Sequence, residues 1–432
     1  RVGEDMPIDW SSLWKKGDWW AVWIGLFILA LAVLGAIPFT PKISSWQLIG
    51  DIPASLSQMP YIILLGLCLL LITGIATRFM EGRIKNYLLG FPIVFLISIF
   101  AYIIANQQII KDSGLAYALW ALVLGLILSN TLKIPKWLSS AAKTELFIKI
   151  GLVLLGAEIL FSIIVSAGVR SIFEVTVGLA LVWYLAYFLA VKLGLKKSFA
   201  AIMANATSVC GVSAAIAAGG AVKGDPKEIS HVVSLVLLFS GPMIILMPLI
   251  AKALQLSDIV AGAWIGGTID NTASVVASGA LFSEEAMQIA SVVKMSQNIL
   301  IGITAFLLAM YWVFRVEKKT TSERPKLREI WYRFPKFIIG FMIASVIFSL
   351  VLVPMIGQTE VKSILGITKG FRGWFFALTF VSIGLNTKFK ELVRIGRGRP
   401  LVVFLTATLW DIVVSLISAY IFFGGILLPP PV

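Results

Sequence analysis

The chain of 432 residues is 59% hydrophobic and only 13% charged, with a mean hydropathy of +0.95. Soluble domains are about one quarter charged, so this composition leaves too little polar surface for a water-soluble fold and excludes that class. The formal net charge of +14 does not indicate nucleic acid, because nearly all Lys and Arg residues lie between apolar runs. A lipid bilayer is the expected partner and no nucleic acid is expected.

The chain opens with Trp10, Trp14, Trp19, Trp20 and Trp23 around Lys15 and Lys16, a composition suited to interfacial anchoring. No cleavable signal sequence is expected. Apolar runs then recur at 19–39, 60–78, 88–106, 115–130, 147–167, 172–191, 199–221, 231–253, 259–281, 287–314, 337–354, 370–387 and 400–423. At about 20 residues per span, this predicts an all-α polytopic membrane protein with about 13 transmembrane helices.

Charge tests that count independently. One alternate set of connectors and span ends carries 26 basic residues and the other eight, with Lys149 and Lys294 inside spans. By the positive-inside rule the N-terminus is cytoplasmic and the C-terminus lies outside. The most charged connector, 315–336, reads as a solvated link or as an anionic-lipid site.

Weak internal similarity predicts an inverted repeat. Asn130-Thr131 corresponds to Asn271-Thr272, Lys149 to Lys294, and Thr207–Gly211 to Thr379–Gly384. Each match jumps five spans, an odd number, so the two halves have opposite orientation. The expected division is 1–112 as N-terminal scaffold helices, 113–256 as first repeat and 257–432 as the inverted second repeat. A second pairing, Gly156 with Gly384, is also visible.

Chemistry is expected where the apolar pattern fails. Span seven carries Thr207, Ser208, Cys210, Gly211, Val212 and Ser213, and span twelve carries Ser382, Gly384, Asn386 and Thr387. Two broken, crossing helices at these positions would aim backbone N–H groups at an anion. Small residues also let helices pack closely, and Asn386 and Thr387 equally suit the end of an ordinary helix. Ionisable residues inside spans are costly and are functional by default. Lys294 would attract an anion or act as counter-ion to a carboxylate. Asp411, Glu158 and Asp270 would bind a coupling proton or cation, and a static Asp411–Lys294 pair is the alternative. Asp270-Asn271-Thr272 also has the form of a cap opening the second half of span nine.

One histidine, and cysteines only at 68 and 210, give no metal site and no disulfide framework. Phosphate-loop, His-Glu-x-x-His and Gly-x-Ser-x-Gly patterns are absent. Neither an enzyme nor a cofactor is expected.

Three stretches resemble the YeiH-like family of bacterial inner-membrane proteins, to which sulfate export has been ascribed. They are Lys143–Gly156, Ser208-Val-Cys-Gly211-Val-Ser-Ala and Gly262–Asp270. Ser382–Thr387 is similar to a later turn of the family, with Asn386 in place of Ser. The chain departs from the family pattern in having Gln297, then Asn298, where an Arg is expected after Lys294. The resemblance implies inverted five-helix repeats, as in sodium–proton antiporters and bile-acid symporters. It also implies secondary transport, of elevator type, of a small anion (sulfate, sulfonate or a small organic anion) coupled to protons or a cation. A sodium/proton antiporter using Asp411 without an anionic substrate is the alternative. A homodimer is left open.

Overall fold

The structure, a computed structural model, describes residues 11–82, 84–112, 117–316, 331, 334–388, 398–427 and 429. Trp10, most of the charged connector 315–336 and most of the closing Pro-Pro-Pro-Val lie outside the described residues, as does the basic stretch 389–397.

Hydrocarbon offers no hydrogen bonds, so an apolar run crossing it must satisfy its own backbone; a helix does this. Among the described residues the regular elements are accordingly helical, with one isolated bridge between Trp46 and Gln107. The principal helices are α1 (Gly17–Val33), α2 (Met59–Glu81), α3 (Lys85–Ala105), α4 (Tyr117–Thr131), α5 (Thr144–Gly156), α6 (Phe161–Lys192), α7 (Lys197–Asn205) and α8 (Gly211–Ala221). They continue with α9 (Pro226–Ala253), α10 (Asp258–Thr268), α11 (Thr272–Phe282), α12 (Glu284–Tyr311), α13 (Phe337–Val346), α14 (Val353–Asn386) and α15 (Arg399–Phe423). Eight stretches among the described residues are long and apolar enough to cross a membrane, and three shorter apolar helices accompany them.

Several boundaries differ from the hydropathy reading. The run 147–167 is not one helix: α5 stops at Gly156, and α6 runs unbroken from Phe161 through the expected connector at 168–171. At about 1.5 Å per residue, its 32 residues extend roughly 48 Å, longer than a ~30 Å hydrocarbon core. Between 353 and 386 the helix turns only at Gly357, whose φ of +83° suits a residue without Cβ.

The chain divides into two compact units. The first comprises residues 1–158 and 336–386, hence α1–α5, α13 and α14. The second comprises 159–335 and 387–432, hence α6–α12 and α15. The expected division points at 112 and 256 fall inside the first and the second unit respectively.

Small-residue packing organises the first unit. Gly125 on α4 meets Gly384 on α14 so closely that a Cβ on Gly384 would stand 2.5 Å from Leu122 O and 2.7 Å from Gly125 Cα. Without a hydrophobic drive between helices in lipid, such backbone approach supplies dispersion contact. Ser129 Oγ also donates to Gly384 O at 2.8 Å. Polar ties add to it. Lys149 on α5 pairs with Asp18 at 3.0 Å and Glu145 at 3.1 Å. Asp18 also accepts from the Lys336 N–H, at the start of α13, at 2.9 Å. Arg372 pairs with Glu158 at 2.8 Å, with side-chain exposures of 4% and 7%.

In the second unit, α6 packs along α15, α10 packs on α12, and α8 packs on α9 and α12. The interruptions within spans seven and nine both lie in this unit.

Candidate functional site

The first interruption lies in span seven, as the Ser/Gly-rich sequence suggested. After α7 the backbone widens into a π-helical turn over Ala206–Cys210, and α8 restarts at Gly211 with φ +47° and ψ −106°. Such turns cluster at functional positions because they free backbone groups from the regular ladder. Glycine is required at the restart: its φ is positive, and a Cβ there would run into Val236 and stand 3.1 Å from Asp270 Cβ.

The second interruption is in span nine, not span twelve. Helix α10 ends at Thr268, Ile269 is extended, and α11 begins at Thr272. The Asn271 side chain caps α11, accepting from Ala273 N at 2.9 Å and Ser274 N at 3.2 Å. This is the cap read from Asp270-Asn271-Thr272. Span twelve, by contrast, is helical through Ser382–Leu385, and Ser382 Oγ donates to Leu378 O at 2.6 Å. Its Ser-x-Gly pattern serves the Gly125 contact, so the expected break is replaced by close packing.

The two interruptions meet. Asp270 O lies 3.3 Å from the position of a Gly211 Cβ, and Cys210 Sγ is 3.8 Å from Thr272 Oγ1. Breaking a helix exposes carbonyls that a buried site must satisfy. Helix α12 does so for both. Lys294, fully buried, donates through Nζ to Val209 O at 3.1 Å and also to Gln297 Oε1. Gln297 Nε2 lies 3.3 Å from Ser208 O and 3.3 Å from Gly267 O, one carbonyl from each interrupted helix. Asn298 Nδ2 donates to Thr272 Oγ1 at 3.2 Å, while its buried Oδ1 has no hydrogen-bond partner among the described residues. An uncharged Gln thus fills the place where the family resemblance led us to expect Arg.

Carboxyls surround this junction. Asp270 is 7% exposed and interacts electrostatically with Lys294. Asp411 on α15, 5% exposed, accepts from Ser415 Oγ at 2.8 Å and feels both Asp270 and Lys294. Glu174 on α6 is 2% exposed and interacts with Asp411. Glu174 was not legible in the sequence, because the expected span began at 172 and put it at a membrane edge. The other contributors, Ser415 and Asn298, each lie four residues beyond a charged residue, on its helix face.

The remaining candidates divide between the units. Thr207 Oγ1 donates to Met203 O at 3.1 Å and Ser208 Oγ to Ala204 O at 2.7 Å, so both hydroxyls serve their own helix before the break. Val212 is half-buried and Ser213 exposed. Ser382, Gly384 and Asn386 belong to the first unit, where Asn386 accepts from Ser139 Oγ at 3.2 Å and donates to Ala142 O at 3.4 Å. Glu158 is there too, paired with Arg372. Thr387 is the first residue of the returning second unit. The matched repeat landmarks differ in setting: Lys149 forms ion pairs in the first unit, whereas Lys294 is enclosed at the junction in the second.

A family described as conserved hypothetical protein 698 matches residues 89–404. A UPF0324 membrane protein of Rhodopirellula baltica is 42% identical over 351 residues, which is 80% of this chain and 64% of that protein. One from Nitratidesulfovibrio vulgaris is 38% identical over 362 residues, 81% of this chain and 62% of its own length. The chain therefore spans just under two thirds of these two relatives. A third, from Nitrosomonas europaea, is 29% identical over 491 residues, covering 98% of both proteins. Together with the three stretches quoted above, these matches mean that the chain belongs to the conserved hypothetical protein 698 family, the YeiH-like UPF0324 membrane proteins.

Proposed function

We propose that the chain is a secondary active transporter of a small anion, of the sulfate, sulfonate or small organic class, coupled to a proton or other cation. One observation carries this reading: two interrupted helices of one unit meet at Gly211 and Asp270, against a buried lysine. Interrupted helices at membrane depth are tolerated where they line a protein-enclosed site. At this junction α8 and α11 present their N-terminal, positively polarised ends. Cys210 gives α8 no side-chain cap; the Gly211 N–H donates to Ala206 O, and the N–H groups that follow it are the ones we assign to a ligand. Thr272 and Asn298 add polar contacts, and Lys294 adds charge.

The cation half of the reading rests on charge counting. Asp270 and Asp411 both interact with the Lys294 ammonium, and Glu174 adds a third carboxyl that interacts with Asp411. Buried charge must be balanced in a low-dielectric interior, so the cluster draws in a proton or metal cation. We place the protein in the bacterial inner membrane with the N-terminus cytoplasmic, on the distribution of basic residues. Alternating access of elevator type, without covalent chemistry, completes the proposal. Ser382, Gly384, Asn386 and Glu158 are left out of the site because each is engaged within the first unit.

Purified protein in proteoliposomes tests this directly. Sulfate or sulfonate flux driven by a pH gradient should be lost in Gly211→Ala, Lys294→Met and Asp411→Asn. Undiminished flux in all three would overturn the site. The excess of carboxyls also favours a second reading, sodium/proton antiport without an anion. It predicts luminal pH changes on a Na⁺ jump in anion-free vesicles.

A further inference from the structure

The transport reading gives Asp411 a cation to bind, and the second unit supplies a group that completes a site for it. Glu174 lies inside α6 at 2% exposure, and among the described residues neither of its oxygens has a hydrogen-bond partner. A buried carboxyl left this way is costly unless something binds it. Room beside it is kept by Gly267, near the end of α10. A Cβ at that position would stand 3.3 Å from Glu174 Oε1 and 3.4 Å from Ser415 Oγ. Ser415 Oγ in turn donates to Asp411 Oδ1 at 2.8 Å. Glu174 and the Asp411–Ser415 pair therefore flank the same missing side chain, one from α6 and the other from α15.

The charged groups facing this place come from every neighbouring element. Asp270, between α10 and α11, and Lys294, on α12, both act on Asp411. The Lys294 ammonium is engaged by Val209 O and Gln297. Arg170, one turn before Glu174 on α6, directs Nη2 to Pro429 O at 2.6 Å. None of these cations hydrogen-bonds Glu174.

We infer that Glu174, Asp411 and Ser415 form a binding site for one proton, shared between the two carboxyls across the space left by Gly267. The inference rests on the transport reading for its role as coupling site, but its geometry stands apart from the substrate. One carboxyl carries the proton and hydrogen-bonds towards the other, with the Ser415 hydroxyl holding Asp411 in place. Two carboxyls coupled in this way titrate as a pair.

Infrared spectroscopy of the full chain in lipid nanodiscs, titrated across pH, tests the site without any flux measurement. In wild-type protein, ¹³C-glutamate and ¹³C-aspartate labelling should each shift part of one titrating protonated-carboxyl band. Glu174→Gln should move the titration midpoint of the remaining aspartate band by about one pH unit, tenfold in proton affinity. Asp411→Asn should do the same to the glutamate band. A wild-type spectrum with no titrating buried glutamate, or an aspartate midpoint unmoved in Glu174→Gln, overturns the shared site. Loss of the band on adding Na⁺ at constant pH overturns the proton in favour of an alkali cation. The labelled wild type needs no substitution, so a misfolded variant does not remove the test. A protein that shows the band but no coupled flux keeps the site and refutes the transport reading.

Discussion

Gly211 stands against Asp270 so closely that a Cβ on the glycine would lie 3.1 Å from the aspartate Cβ and 3.3 Å from its carbonyl oxygen. The positive φ of Gly211 adds a backbone penalty to that crowding. Gly211→Ala should cost about 1–3 kcal/mol through strain and overpacking. Thermal unfolding of the detergent-solubilised protein checks this, and an unchanged Tm would mean that the crossing has slack.

Gln297 links Ser208 O and Gly267 O and accepts from Lys294. Gln297→Ala leaves these groups short of partners, at about 1–3 kcal/mol for each group left unsatisfied. Denaturation in mixed micelles should show the loss, and limited proteolysis should show faster cleavage around 206–211 and 268–272.

Lys294 and Asp270 interact within a cluster where carboxyls are in excess. A double-mutant cycle of Lys294→Met, Asp270→Asn and the double variant should give a coupling of roughly 0.5–3 kcal/mol. Each single change strands a charge that the double change removes. Additive effects would show that the two side chains act separately.

In the first unit, Gly384→Ala drives a methyl into Leu122 O and Gly125 Cα and should lower stability by about 1–3 kcal/mol. Ser382→Ala removes only a bond to Leu378 O and should leave flux per folded molecule unchanged. A specific loss of flux in Ser382→Ala would return span twelve to the substrate site.

Breaking the buried Arg372–Glu158 pair by Arg372→Met should cost about 3–5 kcal/mol, because the carboxylate is left behind. Adding Glu158→Gln to it should recover much of that loss in the same unfolding assay.

Much of this arrangement is legible in the sequence because bilayer spans leave long apolar signals, as at 400–423, which becomes Arg399–Phe423. The interruption in span seven is legible because Ser208, Cys210 and Gly211 stand together in a membrane segment. The one in span nine shows through its Asn271 cap. Span twelve misleads because Ser382-Ile-Gly384 fits both unwinding and close helix approach; the deciding partner, Gly125, is 259 positions away in sequence. Glu174 is hidden for a different reason. Hydropathy ends a span at polar residues such as Arg170 and Ser171, whereas the backbone continues as α6 through them.

The length of α6 has a mechanical consequence. Its exposed apolar residues run from Val165 past Phe173 and Leu181 to Val191, about 39 Å at 1.5 Å per residue. A bilayer thinner than that stripe is accommodated by tilt or local thickening, at a fraction of a kcal/mol per ångström. The helix that bears Glu174 is thus matched to membrane thickness, and under the transport proposed above, changing acyl-chain length alone should alter the rate of flux.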